Sequence, residues 1–239
     1  VYTPKQEATF VKRPLRDKKN DWACLFQVEG QGTWGASPYR FHFVPDYAPT
    51  LGLEADKPEW AGRRERFFQV LEKIRQTPYY EASVTMDPLR RTAKAAIAME
   101  ARTMLLAFHK DRLEAVAYNA ERGITRATLE RGQDWTPRET RPTRKVFCNY
   151  YFYPVEGERP YPQLPLEVWL DPRYLYQALM PRPAGEPVAV TLYVRDGGVM
   201  AVSLCYQGLE AIIAAMHVSE DRRRDILRVD EKIAAGEVW

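Results

Sequence analysis

Apolar and polar positions alternate through "LEVWL", residues 166–170, with Leu166, Val168 and Leu170 on one side and Glu167 and Trp169 on the other. A period of two predicts a strand with one buried face. Asp171-Pro172 then interrupts the alternation. Asp171 stands where a helix needs an N-cap and Pro172 suits its first turn, so a helix is expected over about 172–180. Residues 81–99, "EASVTMDPLRRTAKAAIAM", repeat this grammar: a strand over 81–86, Asp87-Pro88, and a helix over 88–99. Each helix carries an apolar stripe, Leu89, Ala93 and Ile97 in the first, Leu175, Ala178 and Leu179 in the second.

The segments after the two helices also match. "TMLLAFH" and "RLEAVAYN" flank a turn at Lys110-Asp111, and "GITRATLE" supplies a third strand. After the second helix, Val188, Val190, Leu192 and Val194 alternate with Ala189, Thr191, Tyr193 and Arg195. Asp196-Gly197-Gly198 is a hairpin signal, and "LEAIIAAMHV" reads as the closing strand. The expectation is α+β: two strand–helix–three-strand units over 80–218, joined by the polar, basic connection 130–145. Their sheets are expected to meet edge to edge and their helices to lie side by side.

Residues 1–79 read as a separate α+β region of unlike pattern. "WACLFQVEG" and "YRFHFVP" predict two strands joined by the glycine-rich loop "GQGTWGASP", which leads into a strand and therefore lacks the helix start that a phosphate cradle needs. Residues 58–76 predict a helix with Phe67, Phe68, Leu71 and Ile74 on one face, and Arg63, Arg64 and Arg66 form its solvated side. Ahead of these, Lys5, Lys12, Arg13, Arg16, Lys18 and Lys19 stand against Glu7 and Asp17, the composition of a solvated arm or, on the sharper reading, of a nucleic-acid contact. Residues 219–239 predict a terminal helix, capped at Ser219, with Ile226, Val229 and Ile233 on one face.

Composition narrows the classes. With 239 residues, 45% hydrophobic and 12% aromatic, the chain can bury a core and is not a disordered polymer. A net charge of +3 does not by itself imply a polyanionic partner. No apolar run reaches the ~20 residues of a membrane span, and no secretory signal stands out, so a cytoplasmic protein without a membrane partner is expected. Cys24, Cys148 and Cys205 are scattered without metal-ligand spacing and read as reduced thiols. His42, His109 and His217 sit at strand-like positions and lack paired-ligand spacing, and no nucleophile elbow or P-loop occurs. No catalytic residue, metal or cofactor is implied. Asp46, Glu54 and Asp56 are the carboxylates that a metal-dependent enzyme reading would use.

The order of these elements resembles one domain of the DNA polymerase sliding clamps, the bacterial β type in particular. "LPLEVWLDPRYLYQALM", "EPVAVTLYVRDGGVMAVSL" and "LEAIIAAMHV" resemble the family's final helix, hairpin and last strand, and "MLLAFHKDRLEAVAYNAERGITRATLE" resembles its earlier hairpin and edge strand. The resemblance spans about 80–218. It implies a non-catalytic replication accessory: a ring whose helices face duplex DNA without reading sequence, and whose last strand lines a pocket for a polymerase or other replication protein. Carried onto this chain, Arg90, Arg91, Lys94, Arg173 and Arg182 become the DNA-facing candidates, and Ile212, Ala214 and Met216 the partner-facing ones. Ala214 and Ala215 depart from the methionine and proline usual in bacterial clamps. The chain has room for one complete domain, so a ring needs several copies joined head to tail, six in number, and a homo-oligomer is expected. Two other readings stand: a protein-binding module that has kept the fold without DNA binding, and a metal-dependent nucleic-acid enzyme with its site in residues 1–80.

Overall fold

Thr3 opens the first helix, α1 (Pro4–Val11): its hydroxyl accepts the Gln6 N–H while the Gln6 side chain accepts the Thr3 N–H at 2.8 Å. This reciprocal capping, with Pro4 at the first helical position, folds what the charge pattern predicts to be a solvated arm. Phe10 and Val11 at its end are fully buried. The computed structural model describes residues 2–17, 21–77, 79–109, 112–130, 150–154, 165–180, 187–195, 198–221 and 223–224. The Lys110-Asp111 turn, the connection 131–145, Cys148, Arg182, Asp196-Gly197 and most of the expected terminal helix lie outside them.

Three strands follow α1: β1 (Cys24–Val28), β2 (Gly32–Ser37) and β3 (Arg40–Val44). The glycine-rich stretch read as a loop is β2, paired antiparallel with both neighbours. Its glycines answer close packing rather than turning: a Cβ on Gly35 would overlap the Val11 carbonyl, and one on Gly32 the Val44 carbonyl. A short 3₁₀ turn leads into α2 (Ala61–Arg75), which buries Phe67, Leu71 and Ile74 and leaves Phe68 38% exposed, outside the expected apolar face.

Then come β4 (Tyr79–Thr85), α3 (Met86–Ala98), β5 (Met104–Phe108), β6 (Arg112–Asn119), β7 (Gly123–Glu130), β8 (Tyr150–Pro154), β9 (Leu166–Leu170), α4 (Pro172–Ala178), β10 (Pro187–Arg195), β11 (Gly198–Tyr206) and β12 (Leu209–Ala214). The two Asp-Pro junctions differ. Asp171 is a true cap that accepts the Arg173 N–H at 2.8 Å, whereas α3 begins at Met86 and holds Asp87 within its first turn.

The described strands form two antiparallel sheets, ordered β1-β2-β3-β12-β11-β10-β4-β8 and β7-β6-β5-β9. The sheets therefore do not join edge to edge. Instead β4 pairs with β10 and β9 pairs with β5, so each junction strand joins the hairpin that follows the other helix. β3 pairs with β12, which makes the larger sheet continuous from the N-terminal strands into the rest of the chain.

Alternation sorts the side chains into three apolar clusters. Val188, Val190 and Leu192 of β10, Leu166, Val168 and Leu170 of β9, and Met104, Leu106 and Phe108 of β5 share the central core with Leu89, Leu175 and Phe10. On the other face of the larger sheet, Phe26, Trp34, Phe41 and Ile212 pack under Phe67 and Leu71 of α2. On the other face of the smaller sheet lie Leu105, Val116 and Trp169.

Candidate nucleic-acid interface and partner groove

α3 and α4 pack against each other, and their ends identify the direction: Arg90 near the start of α3 reaches Leu179 just past the end of α4, while Ile97, Glu100, Ala101 and Arg102 share a cavity of about 570 Å³ with Asp171, Arg173 and Met216. The pair is antiparallel. α1 lies on the same side of the larger sheet, because Arg40, His42 and Val44 of β3 point toward α1 and α4 while Phe41 points toward α2.

Of the expected DNA-facing residues, Arg91 and Lys94 are exposed on α3. Arg173 is also exposed, but both arms of its guanidinium return to Asp171, at 3.1 and 2.8 Å, and that carboxylate raises its pKa. Arg90 is turned inward: Nε donates to the Leu179 carbonyl and Nη2 to the Tyr176 hydroxyl, both at 2.9 Å. Arg182 lies outside the described residues. The basic arm read first as solvated supplies α1, and Lys5, Lys12 and Arg16 are exposed on or just beyond it. The Thr3-Pro4-Lys5-Gln6 capping box is the sequence signal that locates them.

The 3₁₀ turn Arg13–Arg16, which follows α1, is fixed to α4 by a buried polar node. Arg40 binds Asp17, their side chains only 1% and 4% exposed, and also donates to the Gln177 side chain at 2.7 Å and the Arg13 carbonyl at 2.9 Å. Its guanidinium lies 4.5 Å from the centroid of Tyr174, which stacks in turn on the half-exposed Tyr39. Ser37 donates to the same Asp17 carboxylate at 2.7 Å. Arg13, pushed below the usual guanidinium range by burial, donates to the Gln177 carbonyl.

The opposite side of the larger sheet carries a groove of about 450 Å³ between the β2–β3 turn and α2, lined by Trp22, Ser37, Pro38, Phe41, Arg66, Phe67 and Val70. Trp22 is 50% exposed, and the Arg66 guanidinium lies 5.2 Å from the centroid of its ring. Ile212 sits in the cluster beneath this groove and is 1% exposed. Ala214 and Met216 do not join it. Their backbone N–H groups donate to the Tyr39 carbonyl at 2.9 Å and the Trp169 carbonyl at 2.7 Å.

The carboxylates that a metal site would use go to separate partners. Glu54 pairs with Lys57 at 2.9 Å, Asp56 with Arg64 at 3.1 Å and with the Gln27 N–H, and Asp46 with Glu7, whose pKa is raised by burial and then by that contact. Among the described residues no three His, Cys, Asp or Glu side chains gather as a metal would need. Burial pushes the Cys24 thiol up to about 12 and the Cys205 thiol up to about 11, which removes the thiolate character of a nucleophile. No helix among the described residues is long and apolar enough to cross a membrane.

No protein-family model matches the chain, and no curated protein matches it in sequence. Solved structures do. A putative DNA polymerase III β subunit from Eubacterium rectale superposes over 91% of this chain and 65% of its own, with 7% identity and a TM-score of 0.53. The Caulobacter crescentus β sliding clamp, in a structure with PEG bound to a putative β-motif tethering region, covers the same shares with 12% identity and a TM-score of 0.51. The β subunit of Borrelia burgdorferi aligns over 78% of this chain but only 40% of its own length, with 10% identity and a TM-score of 0.40. The chain thus spans less than two thirds of the length of each of these structures, and its fold is that of the bacterial sliding clamps.

Proposed function

We propose that this chain is a non-catalytic, clamp-like replication accessory that rests its helical side on duplex DNA and holds a protein partner in the groove on the opposite side of its larger sheet. The observation that carries the reading is the placement of α1, α3 and α4 together on one side of the larger sheet, with Arg91, Lys94 and Lys5 exposed on these helices and Lys12 and Arg16 exposed just beyond α1. Such cations contact phosphates without reading bases, which suits a protein that stays on DNA regardless of sequence. Arg173 is a neighbouring contact already oriented by Asp171, and Arg90 is a positioning residue that holds the helix pair. The two strand–helix–three-strand units, each lending its first strand to the other's hairpin, form the clamp domain of this reading. The helix and three strands of residues 4–44 follow the same order without a first strand, as a partial third copy.

The groove suits an extended segment with a large apolar side chain: Phe41, Phe67 and Val70 supply the apolar walls, and Arg66 at the rim favours a neighbouring carboxylate. The partner is a polymerase or another replication protein. Head-to-tail pairing of strand edges between copies would assemble the ring.

A second reading, a protein-binding module that has abandoned DNA, is favoured by one observation: Arg90 and Arg173 commit their guanidinium groups within the fold. Site-directed photocrosslinking separates the two. A crosslinker on Lys94→Cys of α3 should capture a short DNA duplex, and one on Lys73→Cys of α2 should not. Equal capture from both positions, or none, overturns the DNA reading.

A further inference from the structure

Three consecutive residues at the end of β12 and just past it bind three different elements. The Ala214 N–H donates to Tyr39 in the β2–β3 turn, Ala215 to Met200 of β11 at 2.9 Å, and Met216 to Trp169 of β9. The chain thereby leaves the larger sheet and crosses to the outer face of the smaller one. Val218 packs there against the cluster of Leu105, Ala107, Val116 and Trp169. A helical turn from Ser219 follows, closed by the Arg223 N–H on the Ser219 carbonyl at 2.9 Å. Arg223 ends the crossing by donating from Nε and Nη2 to Oε2 of Glu167, at 3.0 and 2.8 Å.

The surface underneath is unusual for an antiparallel sheet with one face on the core, whose second face is ordinarily polar and wet. Here Leu105 and Val116 are 4% exposed and Trp169 8%. Tyr118 and Ile124 border them. β9 is the last of the described strands in its sheet, β11 lies in contact with it, and the Trp169 carbonyl receives Met216. Lifted, the crossing segment would uncover an aromatic-centred apolar patch and a backbone acceptor, with Glu167 on the rim. That is the anatomy of a protein-binding surface.

The best complement to that surface on the molecule is the segment that covers it: a backbone donor for Trp169, an aliphatic side chain for the patch and a guanidinium for Glu167. We propose that the segment from Val218 to Arg223 is an exchangeable strap, and that the surface beneath it binds the same strap of a second copy of this chain. Its contacts through Val218 and Arg223 are the same within one chain and between two, so exchange preserves them while residues 215–217 become the connection, and its extent follows protein concentration. The resulting pair is reciprocal and closes on itself, unlike a head-to-tail ring, and it does not rest on the DNA reading.

Two charge reversals test it. Arg223→Glu sets two carboxylates against each other in its own chain, and Glu167→Arg sets two guanidinium groups against each other. Both side chains are partly exposed, 40% and 20%, so neither reversal enters the core. When the two variants are mixed, each strap finds an opposite charge on the other chain. With donor and acceptor dyes on separate variants, energy transfer should rise several-fold over that of either variant mixed with itself, and the mean mass by light scattering should exceed that of either variant alone. Transfer no higher than in the self-mixtures overturns the proposal. A labelled peptide of residues 214–224 gives a second reading that needs no dimer: it should bind the Arg223→Glu chain and fail on Glu167→Arg. Equal binding to both, or to neither, also overturns it.

Discussion

Arg90 donates from Nε to the carbonyl oxygen of Leu179 at 2.9 Å, tying the start of α3 to the end of α4, and its guanidinium lies 4.4 Å from the centroid of the Tyr176 ring. A cation on the basic side of the molecule thus serves helix geometry. Arg90→Ala leaves the Leu179 carbonyl and the Tyr176 hydroxyl without their donor and should cost about 1.5–3 kcal/mol in urea denaturation. Arg90→Lys should restore little of this, since an ammonium cannot reach both acceptors in the fixed fork of a guanidinium.

The Asp17–Arg40 pair is the corresponding anchor that joins the turn after α1 to β3 and, through Gln177, to α4. Because both side chains are almost fully buried, removing one charge strands the other away from water. Asp17→Ala is expected to destabilise the fold by about 3–5 kcal/mol, and Arg40→Met added to it should recover part of that loss. Chemical denaturation of the two single variants and the double variant checks the coupling.

Much of the architecture was legible because alternation and helical spacing are local. Leu166, Val168 and Leu170 face the core as their period requires, and Leu89 and Ala93 mark the buried stripe of α3. What sequence could not show was pairing between distant strands. Nothing in "YRFHFVP" announces that β3 continues β12, and nothing in the junction at Asp87 says that β4 crosses to β10. The alternation of "LEVWL" puts Trp169 on the polar side, yet it is buried beside Leu105 and Val116, in a cluster that Val218 joins from 49 residues later. At the candidate site, charge singled out Arg90, Arg91 and Lys94 alike and could not show that Arg90 turns to acceptors at the end of α4 while the other two stay exposed. The groove is not legible in the sequence because its walls come from β3 and α2, joined through space.

His42 makes stability depend on pH. Its Nδ1–H donates to the Phe10 carbonyl at 2.9 Å, its Nε2 has no partner among the described residues, and burial, with Arg40 nearby, holds its pKa well below 6.5. A base depressed in the folded state takes up a proton on unfolding, so its contribution is intact above pH 6.5 and is lost as pH falls from there toward the folded pKa. Glu7, raised above 4.5, has the opposite sign: its contribution is present below that value and is lost as pH rises through its folded pKa. Thermal unfolding of the parent chain should weaken between pH 6.5 and the carboxylate range, and His42→Gln should flatten that slope.

Gly35 belongs to β2 because no side chain fits between it and Val11. Gly35→Ala must push α1 off the sheet and should cost more than about 1 kcal/mol, the reverse of the gain that such a change gives at an unstrained site. Gly62 on α2, where a Cβ meets nothing within 4 Å, is the control: Gly62→Ala should stabilise by about 0.4–1 kcal/mol. Melting temperatures of the two variants should move in opposite directions.

The most direct test is the salt dependence of duplex binding, by fluorescence anisotropy, for the parent chain and for Arg91→Glu combined with Lys94→Glu. The logarithm of the binding constant should fall linearly with the logarithm of salt concentration, and the variant's slope should be shallower by about two units, one for each phosphate no longer neutralised. An unchanged slope, or a parent chain that does not bind duplex at low salt, would contradict the assignment of the helical side to DNA.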